Sequence, residues 1–231
     1  MFKPSKIIAI GLNYYDHAKE LNMPIPDHPI MFMKPSTSVI GNGDAIIYPP
    51  QSKNMHYEGE LAIVIRDKIK NISKAGAPKH IKGYTCANDV TARDIQNIDG
   101  QWTRAKSFDT FSPLGPKIVS KIDPTNLNIE TRVNGKVKQS SNTKNMIFNV
   151  YDIVSYVSSV MTLLPGDIII TGTPPGVGPL QVGDTVEVEI EGIGVLKNSV
   201  VANPHPVPMN RDTPLHKMER GMNPAERGRK G

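Results

Sequence analysis

The segment His56-Tyr57-Glu58-Gly59-Glu60-Leu61-Ala62-Ile63-Val64-Ile65 decides the reading of this chain, because two carboxylates one residue apart lead straight into five consecutive apolar residues. Side chains two apart on a strand share a face. Glu58 and Glu60 therefore point the same way as Ala62 and Val64, while Leu61, Ile63 and Ile65 point the other way, and both faces read as buried. Two ionised carboxylates at the mouth of such a strand repel each other and lose hydration. That is tolerable only if they are solvated, paired with bases or neutralised by a cation. The plain alternative is a strand end emerging into water, where the pair is only a wet face. A second acidic segment, Gly83-Tyr84-Thr85-Cys86-Ala87-Asn88-Asp89, shifts the balance, since Asp89 can supply a third oxygen. Three carboxylates leave positions open for water and substrate in an octahedral shell, which suits magnesium or manganese. The His and Cys spacing that zinc wants is absent.

At 231 residues the chain suits one domain with a sizeable core. No apolar stretch approaches the roughly 20 residues that span a bilayer, and the N-terminus lacks a signal-peptide cleavage pattern. We expect no membrane partner and, by default, a cytoplasmic location. Cys86 is the only cysteine, which makes it a buried filler sooner than a nucleophile. The net charge of +5 invites a nucleic-acid reading. Residues 204–231, however, hold Arg211, Lys217, Arg220, Arg227, Arg229 and Lys230 against Asp212, Glu219 and Glu226, and so account for three of those five charges. The rest is close to neutral and has no aromatic and basic interleaving, so no nucleic-acid partner is expected.

Residues 6–10 read as a buried strand, followed by a short helix near Tyr14 to Leu21 with Asn13 as N-cap and a Pro-rich link through Pro29. Further short strands fall at Ile46 to Tyr48, Leu61 to Ile65, Lys117 to Val119, Ile129 to Val133, Ile168 to Thr171 and Thr185 to Ile190. A longer helix falls at Val150 to Met161. Strands outnumber helices and strand-helix-strand alternation is missing, which predicts an irregular, antiparallel or mixed β architecture. Residues 1–203 read as one domain. Residues 204–231, rich in Pro, Gly and basic residues without periodicity, read as a tail that cannot build a core of its own.

GLNYYDHAKE (11–20), FMKPSTSVIG (32–41), HYEGELAIVI (56–65), GYTCANDVTARDIQ (83–96), RAKSFDTFSPLGP (104–116), LLPGDIIITGTPPGVGP (163–179) and Gly183-Asp184 with EGIGVLKN (191–198) together resemble the successive blocks of the fumarylacetoacetate hydrolase superfamily, in its short branch made of the catalytic domain alone. The resemblance implies an α+β, mainly β fold of the mixed β-roll type, usually a homodimer. It also implies Mg2+ or Mn2+ at Glu58, Glu60 and Asp89, and a small-molecule 2-oxo acid as substrate. The positions it matches for holding that substrate are Arg93, Gln96, Lys106 and Thr173, and it makes His17 and Glu20 a general-base dyad on a lid.

The residues support these roles unequally. Lys106 is a compact charge able to stabilise a carboxylate or enolate, and its apolar surroundings argue against a merely solvated lysine. Arg93 can pair with a ligand carboxylate or equally with Asp94. Thr173 lies in a Gly- and Pro-rich loop that lacks a phosphate-binding ending, where its hydroxyl can meet a substrate carboxylate or only cap the turn. His17 and Glu20, three apart on one helix, form either a catalytic dyad or an exposed ion pair. The segment from Asn13 to Pro29 is expected to close over ligand. Met31, Phe32, Met33 and Trp102 are candidates for the wall around the substrate tail.

The reaction expected first is hydrolysis of the carbon-carbon bond of an acylpyruvate-type β-diketo acid, with His17 activating water and Lys106 holding the oxyanion. Isomerisation of a 2-hydroxyhepta-2,4-diene-1,7-dioate and decarboxylation of oxaloacetate pass through the same enolate and stand as alternatives. A binding module that keeps the metal site without catalysis is the alternative outside enzymes.

Overall fold

A computed structural model describes residues 2–204; the tail, from residue 205, lies outside the described residues. The strand that begins at Gly59 runs to Ile65 and is buried throughout, and a three-residue strand, Met55–Tyr57, precedes it, with Glu58 in the break between them. It sits centrally in a seven-stranded mixed sheet whose order is Ile30–Lys34, Ile7–Gly11, Ile168–Ile170, Gly59–Ile65, Ile81–Asn88, Ser112–Val119 and Val39–Ile40. Ile7–Gly11 pairs with Ile168–Ile170 in parallel and with Ile30–Lys34 antiparallel, and Ile168–Ile170 runs antiparallel to Gly59–Ile65.

The two faces of the central strand part as its alternation dictates. Leu61, Ile63 and Ile65 join Ile8, Ile10 and the apolar stripe Val150, Ile153, Val154 and Val157 of the helix Val150–Val160 in the largest core. Ala62 and Val64 enter a second core with Ile7, Ala9, Leu114, Ile168 and Ile170. The helix starts sharply because Asn149 accepts from the backbone N–H groups of Tyr151 and Asp152, while Asp152 accepts in return from that of Asn149. A five-stranded sheet, in the order Lys136–Asn142, Asn128–Val133, Thr185–Ile190, Gly194–Ala202 and Ala45–Tyr48, closes over the first, contributing Ile129, Val188, Ile190 and Leu196 to the large core. The result is the mainly β fold expected, a curled mixed sheet with few helices.

Two local readings change. The short helix spans Tyr15–Glu20, and its N-cap is Tyr14, not Asn13. Asn13 is buried instead, with its amide donating to the carbonyls of Phe148 and Thr171 and accepting from the Phe148 N–H. A local capping preference lost to three long-range partners. The strand expected at Lys117–Val119 starts five residues earlier, at Ser112.

Candidate active site

Strand pairing gathers the carboxylates. Gly59–Ile65 and Ile81–Asn88 run antiparallel with Gly59 opposite Asn88, and the Asp89 N–H donates to the Glu58 carbonyl at 2.8 Å just beyond. Glu58, Glu60 and Asp89 thereby bring ligand oxygens within 4.8 Å of one another, with the residues only 7, 2 and 1 % exposed. Gly59 is required between the two glutamates, since a Cβ there would lie 2.1 Å from the Thr131 Oγ1.

Three bases meet these acids. Lys106 Nζ donates to Glu58 Oε2 at 2.7 Å and to Asp89 Oδ2 at 2.6 Å. Lys34 Nζ donates to Asp89 Oδ1 at 2.5 Å and to the Phe111 carbonyl at 2.6 Å. Arg93 donates to Glu58 through Nη2 and to Gln96 Oε1 through Nη1. Asp94, the other partner open to Arg93, instead takes Ser52 Oγ and the Lys53 N–H. Among the described residues Glu60 accepts only from a backbone group, the Gly172 N–H at 2.6 Å.

The electrostatics follow from that asymmetry. Burial pushes Glu58 up, but Lys106 and Arg93 outweigh it and hold the carboxyl down at about 2. Burial, reinforced by Asp89 and Glu58, drives Glu60 well above the usual carboxylate range. Burial likewise lowers Lys34, whereas for Lys106 the neighbouring Asp89 and Glu58 overcome burial and raise it. A fixed carboxylate cluster with one member left without a cationic partner suits a hard divalent cation with oxygen ligands.

The second group is the helix Tyr15–Glu20. His17 is buried, and its Nδ1 lies 2.8 Å from Glu20 Oε2. The other Glu20 oxygen accepts from the Gly176 N–H at 3.1 Å. Gly172 contacts Glu60 and Gly176 contacts Glu20, so one loop touches both the carboxylate cluster and the histidine pair. Gly172 also packs so closely on Asn13 that a Cβ there would lie 2.7 Å from the asparagine Cβ. Its φ of 94° is one that glycine adopts freely.

With fold and geometry in place, comparison with known proteins is direct. Residues 6–201 match the family described as fumarylacetoacetate (FAA) hydrolase C-terminal. The chain belongs to the fumarylacetoacetate hydrolase family. It is 67 % identical over 198 residues to an uncharacterized protein of Methanocaldococcus jannaschii, covering 86 % of this chain and 84 % of that one. It is 49 % identical over 210 residues to the mitochondrial oxaloacetate tautomerase Fahd2a of Rattus norvegicus, covering 86 % of this chain and 67 % of the relative. The crystal structure of the 2-hydroxyhepta-2,4-diene-1,7-dioate isomerase from Mycobacterium marinum superposes with a TM-score of 0.83 at 50 % identity, covering 88 % of this chain and 77 % of that one.

Within this family member, the site residues singled out from the sequence fall into three positions. Glu58, Glu60, Asp89, Lys106 and Arg93 form one connected cluster, with Gln96 joined to it through Arg93. His17 and Glu20 pair at the rim, where the Glu20 side chain is 41 % exposed. Thr173 bonds within the protein. Its hydroxyl donates to the Gly59 carbonyl at 3.0 Å and accepts from Gln139 at 2.8 Å, so its proton is already committed within the protein. Of the proposed wall, Phe32 and Trp102 meet edge to face at 5.1 Å between ring centres, and Lys106 Nζ lies 5.1 Å from the Phe32 centre. Met31 packs on the large core, and Met33 is exposed.

Sequence reasoning missed Lys34 and Gln139. A lysine ending the apolar strand Ile30–Lys34 was a usable signal, because a buried lysine needs an acid. Gln139 gave none, sitting among the polar residues KVKQSSN. Among the described residues, no helix is long and apolar enough to cross a membrane.

Proposed function

We propose that this protein is a divalent-metal-dependent enzyme that moves a proton at the carbon beside the carbonyl of a 2-oxo acid, as a tautomerase or isomerase. The observation that carries the reading is the buried triad Glu58, Glu60 and Asp89, with no cationic side chain hydrogen-bonded to Glu60 among the described residues, tied through one loop to the His17–Glu20 pair. The names of relatives near 50 % identity, an oxaloacetate tautomerase and a heptadiene-dioate isomerase, point to this reaction class. Glu58, Glu60 and Asp89 would hold Mg2+ or Mn2+, which when bound polarises the carbonyl of the 2-oxo acid as a Lewis acid. Arg93, bonded to Gln96 and Glu58, would attract the substrate carboxylate through its remaining N–H groups. Lys106 carries a permanent positive charge against enolate character. His17 takes and returns the proton, while Glu20 fixes its ring and stabilises the imidazolium, an effect typically worth about 10² to 10⁴-fold.

A second reading is hydrolysis of an acylpyruvate carbon-carbon bond by the same base acting on water. It is favoured by the exposure of Glu20, which brings water to the partner of the buried His17. Turnover of enol oxaloacetate, an unsaturated 2-oxo-heptenedioate, acetylpyruvate and fumarylpyruvate, each with Mg2+, with Mn2+ and with chelator, separates them. Cation-dependent proton transfer without bond cleavage is expected. Cleavage of acylpyruvates alone would favour the second reading, and binding without turnover of any of the four would leave a metal-containing binding module.

A further inference from the structure

Gln139 lies on the strand Lys136–Asn142, whose residues are polar almost without exception. Alternation puts Val137 and Gln139 on one face. Yet Val137 is 53 % exposed and Gln139 is 1 % exposed. The pairing with Asn128–Val133 explains the switch. Thr131 faces Gln139 and Arg132 faces Val137, which leaves Lys138 as an extra residue. Such a bulge re-aims the next side chain. Here it turns the Gln139 amide beneath the strand of the two glutamates.

Every polar atom of that amide is used. Its Oε1 accepts from the Gly59 N–H at 3.0 Å, and its Nε2 donates to Thr173 Oγ1 and to the Pro174 carbonyl, both at 2.8 Å. Thr173 Oγ1 donates in turn to the Gly59 carbonyl. Both backbone groups of the residue between Glu58 and Glu60 are thus fixed by one two-side-chain network. The same bulge places the Lys138 carbonyl 2.2 Å from where a Cβ of Gly176 would be, so it also sets the loop that receives Glu20.

We infer that Gln139 is a positioning residue: acting through Gly59 and Thr173, it fixes the spacing of the Glu58 and Glu60 carboxylates and their register against the loop Gly172–Gly176. This rests on the proposed function and names a residue outside the reacting groups. Only an amide offers one acceptor and two donors in this arrangement. Gln139→Leu removes all three bonds. Gln139→Glu keeps the acceptor for Gly59 but sets a carboxylate oxygen against the Pro174 carbonyl, so it carries the test should the leucine variant fail to fold.

The experiment is titration of Mn2+ into the metal-free full chain, then of oxalate, a planar 2-oxo acid mimic, into the Mn2+-loaded protein. Parent, both Gln139 variants, Thr173→Val, the double variant Gln139→Leu/Thr173→Val and the exposed control Lys138→Ala are compared, with unfolding midpoints recorded. Loss of an outer hydrogen bond to a metal site typically weakens it about 10- to 100-fold. A loss of that size in Mn2+ affinity is expected in both Gln139 variants, with Lys138→Ala like the parent. The losses from Gln139→Leu and Thr173→Val should fall short of additive in the double variant, because both cut one network. Parent-like Mn2+ and oxalate affinities in folded Gln139 variants would overturn the assignment and leave the proposed function standing. A parent that binds neither probe would overturn both.

Discussion

Among the described residues, two places bury carboxylates beside lysines, and they are built to different ends. Asp167 is completely buried and fully answered: Lys6 pairs with it, Ser5 Oγ donates at 2.6 Å and the Leu164 N–H at 2.8 Å. Its carboxyl is held below the usual range, because these bonds outweigh burial. At the strand mouth, Lys34, Lys106 and Arg93 answer Glu58 and Asp89 but leave Glu60 with a single backbone donor and two acidic neighbours. Burial of charge is common to both. The unanswered member sets the candidate site apart, since without a partner from outside burial holds its carboxyl well above the usual range.

The largest effects should separate the two clusters cleanly. Glu60→Gln should abolish Mn2+ binding and metal-dependent turnover while leaving the metal-free fold as stable as the parent or more so, because it removes an uncompensated carboxylate. Asp167→Asn should do the reverse, leaving metal binding intact and costing about 3 kcal/mol for a broken buried pair. Mn2+ titration and urea unfolding of both variants check this. A destabilised Glu60→Gln would break the comparison.

Next in size, His17→Ala should lower turnover by about 10² to 10⁴-fold with Mn2+ affinity unchanged, as kcat and calorimetric titration would show. The histidine pairs with Glu20 and not with the cluster, and holds none of its charge.

How much of this was legible depended on whether the deciding partner was near in sequence. Glu58 through Ile65 could be read because alternation is a local rule, and the two faces entered separate cores as it required. Asp89 could be read because its strand carries an acidic end into the same neighbourhood. Asn13 was misread as a helix cap because its real partners, Phe148 and Thr171, lie 135 and 158 residues away. Gln139 was invisible because a bulge, which the sequence KVKQSSN does not announce, reverses the face it would otherwise occupy. Thr173 was read with its hydroxyl open to a substrate carboxylate or to the turn, and its bond to the Gly59 carbonyl, 114 residues away, was not legible.

Smaller, and of both signs within the candidate site, is the dependence on pH. Glu58 and Asp167 are depressed in the folded state, so their stabilisation is present above their ordinary values of 4.5 and 3.8 and is lost as pH falls through the folded values. Glu60 is raised, so the folded chain binds more protons there than the unfolded one, and stability declines as pH rises from 4.5 through its folded value. Urea unfolding of the metal-free protein across pH should show that decline as pH rises above 4.5, and saturating Mn2+ should remove it. A flat profile without metal would mean Glu60 has found a partner.

The smallest effect concerns Cys86. Burial pushes its thiol up to about 12, so iodoacetamide at neutral pH should leave the native protein unmodified and active, and mass spectrometry should find the adduct only after unfolding.

The central claim, that the unanswered carboxylate cluster serves a cation used for proton transfer on a 2-oxo acid, is tested most directly by following the enol-to-keto conversion of oxaloacetate by ultraviolet absorbance. Parent, Glu60→Gln and His17→Ala would be compared with Mn2+, with chelator and after Mn2+ is restored. Conversion by the parent should require Mn2+, vanish on chelation and return with the metal, and should be lost in Glu60→Gln and strongly reduced in His17→Ala. Enzymatic conversion that persists under chelation, or that is equally fast in Glu60→Gln, would contradict the account.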